Sequence, residues 1–238
     1  MRDEEFVIPQ SEGTVIERIV GGVRAAIAQG VLSPGQRLTE REVIERTGAS
    51  RTSVREAFAR LRRLRLLEES ARGGLQVPEL RPTTIEHIFE LRGAVESAAA
   101  ELFTLRASDD EVAKLCQLND DFVHNIDRLV GKDPSNSGEY SQPYDFIIRG
   151  SRNPILADIV APFLVRIQPL RVLSLSVPSR QRAVKFEKNR LVDAVCRRDP
   201  DRAAGAIRAH IAASRESILC AFWDTASVDD GYRTAAHA

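Results

Sequence analysis

The 238-residue sequence has few cysteines, few aromatic residues and no long apolar run. Its three cysteines, Cys116, Cys196 and Cys220, are isolated and odd in number. This pattern fits reduced thiols in helices and argues against a disulfide framework or a zinc knuckle. A membrane-spanning helix needs roughly 18 or more apolar residues in a row, and no such run is present. The N-terminal segment, MRDEEFVIPQ, is acidic and unlike a secretory signal, so we expect a soluble, cytoplasmic protein that does not bind membranes.

Motifs for catalysis are also missing. The sequence contains no glycine-rich phosphate-binding loop, no H-E-x-x-H motif, no nucleophile elbow and no pair of carboxylates that helical phase would turn inward. It therefore argues against an enzyme, and we expect no cofactor.

The sequence does contain a local excess of positive charge. The formal net charge is zero, yet seven arginines lie between residues 46 and 65, where Glu56 is the only acid. A neutral protein can bind nucleic acid if its positive charge is gathered on one surface. The alternative is an arginine-rich helix whose charged face is merely solvated, and charge clustering alone does not separate the two.

Apolar spacing and turn residues predict two domains, residues 8–78 and residues 83–226. The first combines three short helices with two short strands, LLEES and LQV, and its helices are expected near 14–29, 39–46 and 51–63. The second is helical throughout, with helices expected near 84–107, 109–130, 143–150, 154–176, 180–198 and 201–224. The last dozen residues are expected to be a disordered tail. The predicted fold is therefore mostly α: an N-terminal winged helix-turn-helix with a small β wing, followed by a C-terminal all-α bundle.

The third helix has a core face and an outward arginine face. At 100° per residue, one apolar stripe must face the small core, and it contains Val54, Ala57, Phe58 and Leu61. Arg51 and Arg55 lie on an adjacent stripe in the first turns, with Thr52 beyond them, and Ser50 can cap the helix. In a winged helix-turn-helix this helix enters the major groove, and its first turns meet the bases.

The same segment resembles the DNA-binding domain of the GntR family. It reads GVLSPGQRLTEREVIERTGASRTSVREAFARLRRLRLLEESARGGLQV, and the matching patterns are L-x-P-G-x-x-L-x-E-R-E-V and G-x-S-R-T-x-V-R-E-A, followed by a glycine-containing wing. The resemblance implies that operator DNA is contacted by Arg41, Ser50, Arg51, Thr52 and Arg55. It also implies that Arg72 and Gly73, at the wing tip, approach the minor groove or the backbone. The sequence departs from the family at Arg65, where glycine is usual at the turn into the wing.

The C-terminal part resembles the FadR-like (FCD) ligand domain of this family, on ELRGAVESAAAELF, RNPIL and AVKFEKNRLVDAVCRRDPDRAAGAIRAHI. The resemblance implies a ring of helices around an acid-binding cavity, often with a divalent metal held by one Asp and three His. At those four positions this sequence has Tyr140, Tyr144, Lys188 and His210. One imidazole cannot hold a divalent ion, and tyrosine and ammonium are uncommon ligands at neutral pH. We therefore predict that the domain binds no metal.

Two cations fall inside apolar stripes of this domain, Arg92 on the first helix and Lys188 on the fifth. Unpaired buried charge is costly, so both need compensation. One interpretation is an internal salt bridge of Arg92 or Lys188 with Glu96 or Glu187. The other is a pocket for an anionic effector, in which Lys188 supplies the positive charge that a metal supplies elsewhere. Its expected lining is Arg92, Tyr144, Lys188 and His210, although His210 can equally be a hydrogen-bonded core residue.

Together these features predict a transcriptional regulator. We expect a homodimer on a palindromic double-stranded operator, acting as a repressor, with DNA binding modulated by a small anionic metabolite. A carboxylate or sugar acid ranks above an acyl-CoA thioester. The alternative is an effector-independent DNA-binding regulator whose C-terminal cavity is closed.

Overall fold

The computed structural model describes residues 13–71, 73–130, 142–175 and 177–235. Its elements in chain order are α1 Val15–Ala28, β1 Arg37–Leu38, α2 Glu40–Thr47, α3 Arg51–Arg63, β2 Glu68–Glu69, β3 Leu75–Gln76, α4 Pro82–Arg106, α5 Asp109–Val130, α6 Gln142–Gly150, α7 Pro154–Leu175, α8 Pro178–Cys196 and α9 Pro200–Ala235. The described residues divide into two compact units, one formed by those within 1–80 and 162–169, the other by those within 81–161 and 170–238. None of the helices in the described ranges is long and apolar enough to cross a membrane.

Side-chain caps set the starts of the first three helices. Thr14 and Thr39 each form a capping box, with Glu17 and Glu42 respectively, because hydroxyl and carboxylate satisfy backbone N–H groups that lack a helical partner. Ser50 caps α3 by accepting from the Ser53 N–H group, which confirms its predicted role.

The wing sheet has one strand more than the sequence indicated. It is antiparallel, in the order β1-β3-β2, so that β3 is central and pairs Leu75 with Leu38 on one side and with Glu69 on the other. We expected the VLSPGQRL segment to be only a turn, but its last two residues form β1. A two-residue strand has no periodicity of its own and is defined by its partner.

A single apolar cluster holds the N-terminal helices and the wing together. The stripe predicted on α3 is confirmed as buried, from Val54 to Leu61. It packs with apolar residues of α1, α2 and the wing, which include Ile19, Val23, Ile27, Val43, Leu66, Leu67 and Val77. Val15, which shares the helical spacing of α1, is exposed instead. This packing fixes α3 with its other face toward solvent.

In the C-terminal unit, α4 packs along α9, and α8 packs against both α9 and α5. The bundle is helical, as expected, but α9 continues to Ala235, past the expected end at 224 and into the segment expected to be a tail. Arg92, Glu96 and Lys188 are buried among its helices.

Candidate functional site

The N-terminal turns of α3 present the predicted DNA-contacting side chains to solvent. Arg51, Thr52 and Arg55 are exposed, and so is Ser50 at the helix start. The free N–H groups and the positive dipole at this end of a helix favour anions such as phosphate. The structure therefore brings together arginine forks, hydroxyls and a helix N-terminus on one face.

A groove of about 480 Å³ runs between α3 and the wing. Arg55 lines it, and its Nε lies 3.1 Å from both carboxylate oxygens of Glu40 on α2. Further along α3, Arg62 lines the same groove and contacts Glu69 of the wing at 2.7 Å. Both ion pairs are solvent-exposed, so each contributes little to stability.

The wing tip has two adjacent glycines, so that no side chain covers its backbone. Gly73 and Gly74 have φ values of 79° and 81°, which only glycine adopts without strain. Arg37 of β1 donates to the Gly73 carbonyl at 2.7 Å and so fixes the tip. Arg72, also predicted to contact DNA, lies outside the described residues. Arg41, on α2, is exposed, and its Nε lies 2.7 Å from Glu45.

In the C-terminal unit, Arg92 makes an internal ion pair with Glu96, one turn along α4. Its Nε lies 2.5 Å from one carboxylate oxygen and its Nη2 lies 3.3 Å from the other. Both side chains are almost fully buried. The other terminal nitrogen, Nη1, is buried without a hydrogen-bond partner. The pair therefore satisfies only part of the guanidinium and leaves the two N–H groups of Nη1 without a hydrogen-bond acceptor.

Lys188 is buried, as its helical phase predicted, but it is not paired with a carboxylate. Its Nζ lies 3.9 Å from the Phe122 ring centroid and 4.1 Å from the Tyr144 ring centroid, and has no hydrogen-bond partner. Burial, reinforced by the positive charge of Arg171, lowers the pKa of Lys188 well below its usual value. The Tyr144 hydroxyl is likewise buried without a partner, and burial raises its pKa.

His210 joins the same cluster through its ring. The ring stacks on Tyr144 with centroids 4.9 Å apart, and its Nδ1 lies 2.6 Å from Glu187 Oε2. Burial lowers the pKa of His210 to about 4, although the Glu187 carboxylate acts in the opposite direction. The ring is therefore neutral at pH 7, and Nδ1–H donates to Glu187. Its Nε2 lies 3.4 Å from the Ser214 hydroxyl.

Glu187 has a second partner that the sequence analysis did not single out. This partner is Arg180, in the first turn of α8. Its guanidinium donates to both Glu187 oxygens, at 2.6 and 3.1 Å, and to the Ser214 hydroxyl at 2.8 Å. Burial alone would raise the pKa of Glu187, but hydrogen bonds from His210 and Arg180 outweigh it and lower that pKa. Helical spacing could have indicated this Arg180–Glu187 contact, since residues 180, 184, 187 and 191 share one face of a helix.

These residues do not fit a divalent metal. Of the positions that hold the metal in the resembled domain, Tyr144 carries an un-ionised hydroxyl, Lys188 an ammonium group, and His210 a ring nitrogen that is hydrogen-bonded to Glu187. Tyr140 lies outside the described residues. Among the residues that are described, no group of three or more His, Cys, Asp or Glu side chains is placed to hold a metal ion. The donors present suit an anion instead of a cation.

Comparison with protein families matches both parts of the chain. The family described as "Bacterial regulatory proteins, gntR family" matches residues 15–77, and the "FCD domain" family matches residues 87–213, which is more than half of the chain. Both matches fall on the segments that carried the resemblance.

Curated relatives are similar to this chain over most of its length. The uncharacterized HTH-type transcriptional regulator YcbG of Bacillus subtilis is 26% identical over 220 residues, which cover 86% of this chain and 88% of the relative. The probable D-xylose utilization operon transcriptional repressor of Paenarthrobacter nicotinovorans is 28% identical over 203 residues, covering 84% and 87%. These similarities extend across both units of the chain.

Solved structures share the fold. The structure of E. coli McbR/YncC superposes with a TM-score of 0.73 at 21% identity, covering 90% of this chain and 100% of that one. A putative transcriptional regulator GntR from Rhodococcus sp. RHA1 gives a TM-score of 0.66 at 19% identity, covering 86% and 97%. The winged helix-turn-helix followed by a helical domain is therefore confirmed.

Proposed function

Because the chain belongs to the GntR family of bacterial transcriptional regulators and carries an FCD domain, we propose that it represses transcription by binding a palindromic operator as a homodimer. The observation that carries this proposal is the exposed face of α3, where Arg51, Thr52 and Arg55 project beside a capped helix start. Arginine pairs through its fork with guanine O6 and N7, whereas hydroxyls and helix N–H groups take phosphates. Repression is favoured by the relative named as a repressor.

The other predicted contacts have supporting roles in this proposal. Ser50 and the α3 N-terminus bind a phosphate, and Arg41 neutralises a neighbouring one once it leaves Glu45. Gly73 lets the wing backbone approach the DNA, and Arg72 at the same tip reaches the minor groove or the backbone. Phosphate contacts position the protein on the duplex, and the two α3 arginines specify the sequence.

The test is selection of bound duplexes from a random pool by the full-length protein at a fixed salt concentration. Enrichment of one motif with two inverted half-sites, spaced for helices about one DNA turn apart, supports a dimer reading the major groove. Uniform recovery of sequences, with binding that salt alone controls, would contradict sequence-specific recognition.

We further propose that the C-terminal domain binds a small anionic effector and that this modulates operator binding. The observation behind it is a set of three buried donors without hydrogen-bond partners, Arg92 Nη1, Tyr144 Oη and Lys188 Nζ. A carboxylate offers acceptors for all three, and buried polar groups in proteins are otherwise nearly always satisfied. An anion beside Lys188 favours the charged form of its amino group, so that the ammonium supplies the positive charge in place of a metal.

His210 contributes to this site as a ring against Tyr144 and through the Glu187 hydrogen bond. Small carboxylates and sugar acids match the donor set best, and an acyl-CoA thioester ranks below them because its chain needs an apolar tunnel. Thermal denaturation with a panel of all three classes tests the proposal, because a ligand that binds only the folded state raises the melting temperature.

One feature favours a regulator without an effector. The buried Arg92–Glu96 pair and the aromatic rings on Lys188 partly compensate both cations from within the protein. If no anion in the panel raises the melting temperature while sequence-specific DNA binding persists, this second candidate replaces the effector proposal.

A further inference from the structure

Two cysteines that are far apart in the sequence meet between α5 and α8. The Sγ atoms of Cys116 and Cys196 lie 3.2 Å apart, although the residues are separated by 80 positions. A disulfide bond is about 2.05 Å long, so the sulfurs need to approach by only about 1.1 Å. The sequence had indicated isolated thiols, and the fold shows a pair.

The two thiols differ in their surroundings. Cys196, the last residue of α8, is exposed to solvent, whereas Cys116 is half-buried. Burial raises the pKa of the Cys116 thiol to about 11, and its hydrogen bond with Cys196 acts in the same direction. The rate of thiol oxidation depends on the thiolate fraction and on exposure to solvent. A dissolved oxidant therefore reacts first with the exposed Cys196, while the neighbouring Cys116 is still a protonated thiol.

We propose that Cys116 and Cys196 form a peroxide-sensitive dithiol site that closes reversibly to an intramolecular disulfide. The Cys196 thiolate attacks hydrogen peroxide, an S–O bond forms, the O–O bond breaks, and the released hydroxide takes up a proton to become water. The Cys116 sulfur then attacks the Cys196 sulfur, the S–S bond forms and the S–O bond breaks. The leaving hydroxide takes the Cys116 proton as a second water. The thiol pair is oxidised by two electrons, and one peroxide is reduced to two waters.

The disulfide would join α5 and α8 covalently, next to contacts between these helices that are noncovalent. Next to the cysteines along the same interface, Asn119 donates to Asn189 at 2.8 Å, followed by Phe122 beneath Lys188. Oxidation therefore links α5, which carries Phe122, covalently to α8, which carries Lys188. The inference stands on the cysteine geometry and does not depend on whether an effector binds.

The test uses the full chain with Cys220→Ser, which removes the third and exposed thiol. After one equivalent of hydrogen peroxide, free thiols are counted under denaturing conditions and peptides are mapped without reduction. We expect both thiols to disappear together, a linked peptide pair containing Cys116 and Cys196, a raised melting temperature, and full reversal by dithiothreitol. Survival of both thiols, or oxidation of Cys196 to sulfinic acid without a linked peptide, overturns the proposal.

Two matched variants in the same background separate the roles of the thiols. With Cys116→Ser, Cys196 should be trapped as a sulfenic acid by dimedone, and the melting temperature should not rise on oxidation. With Cys196→Ser, Cys116 should react at least tenfold more slowly than Cys196 does in the first variant, because it is half-buried and protonated. Equal rates in the two variants contradict the assigned order of attack. A linked dimer in place of the intramolecular bond contradicts the site itself.

Discussion

The ammonium of Lys188 lies 4.1 Å from the centre of the Tyr144 ring, and neither Lys188 Nζ nor the Tyr144 hydroxyl has a hydrogen-bond partner within the described structure. A cation–π contact offsets part of the cost of burying the charge, but it leaves three N–H donors unsatisfied. The buried Lys188 ammonium therefore lowers the stability of the protein. An anion bound between Lys188 and the Tyr144 hydroxyl would offset that loss.

The first prediction follows for Lys188→Met. The free energy of unfolding without ligand should rise by about 1–2 kcal/mol, because a well-packed apolar side chain replaces an incompletely satisfied cation. Stabilisation by small carboxylates should disappear in the same variant. Chemical denaturation measures both effects.

Lys114→Met is the matched control, since Lys114 is an exposed residue of α5 whose Nζ donates to Gln117. It should leave stability and carboxylate response unchanged. If Lys188→Met destabilises the protein and its carboxylate response persists, Lys188 is a structural residue and the anion site is wrong.

The second prediction concerns acid stability. His210 has an ordinary pKa of 6.5 when unfolded and about 4 when folded. Between pH 6.5 and pH 4, His210 binds a proton in the unfolded state but stays neutral in the folded state. The stabilising contribution that is present above pH 6.5 is therefore progressively lost as the pH falls, by up to about 3 kcal/mol. The melting temperature of His210→Gln should depend less on pH across this window than that of the natural chain.

His124→Gln provides the comparison, because His124 is exposed and its Nδ1 lies 2.7 Å from the Asp120 carbonyl oxygen. Its melting temperature should follow the natural chain from pH 4 to pH 6.5. A His210→Gln profile with the same slope would show that His210 does not control the acid limb.

The third prediction concerns the turn into the wing. Arg65 follows α3 with a φ of 54°, a left-handed conformation that costs a residue with a Cβ about 1–2 kcal/mol. Glycine avoids that cost, which explains why the resembled family favours glycine here. Arg65→Gly should therefore raise the melting temperature, whereas Arg60→Gly, at an exposed position inside α3, should lower it by removing a good helix former. The reverse order would contradict the backbone conformation at Arg65.

The fourth prediction concerns the packing of α6 on α4. A Cβ added at Gly150 would lie 2.5 Å from a carbon of the Phe103 ring, far inside contact distance. Gly150→Ala should destabilise the protein by about 1–3 kcal/mol, since the ring or the helix must shift. Gly205→Ala, in α9, meets nothing within 4 Å and should stabilise the helix by about 0.5–1 kcal/mol. Equal effects would show that α6 does not approach Phe103 this closely.

Features set by local chemistry were predictable from the sequence. The α3 helix combines a Ser50 cap with an apolar stripe from Val54 to Leu61, so its limits and its buried face follow from spacing alone. The same reasoning placed Arg92 and Lys188 inside the bundle, because helical phase does not depend on the partner helix.

Features that depend on contact with an element distant in the sequence could not be predicted in the same way. Strand β1 exists only through its pairing with β3, and the Cys116–Cys196 contact joins helices 80 residues apart. Glu187 was a candidate partner for Lys188, but tertiary packing gives it to Arg180 and His210. Helical phase shows that a side chain points inward, and it does not show which side chain meets it.

Fluorescence anisotropy on the selected duplex tests most directly whether α3 reads operator DNA through Arg51 and Arg55. At one salt concentration, Arg51→Ala and Arg55→Ala should each weaken binding roughly 10- to 100-fold and reduce discrimination against a scrambled duplex. Arg208→Ala, an exposed arginine of α9, is the control and should bind like the natural chain. If both α3 variants keep full affinity and discrimination while folded, α3 is not the recognition helix and the account is wrong.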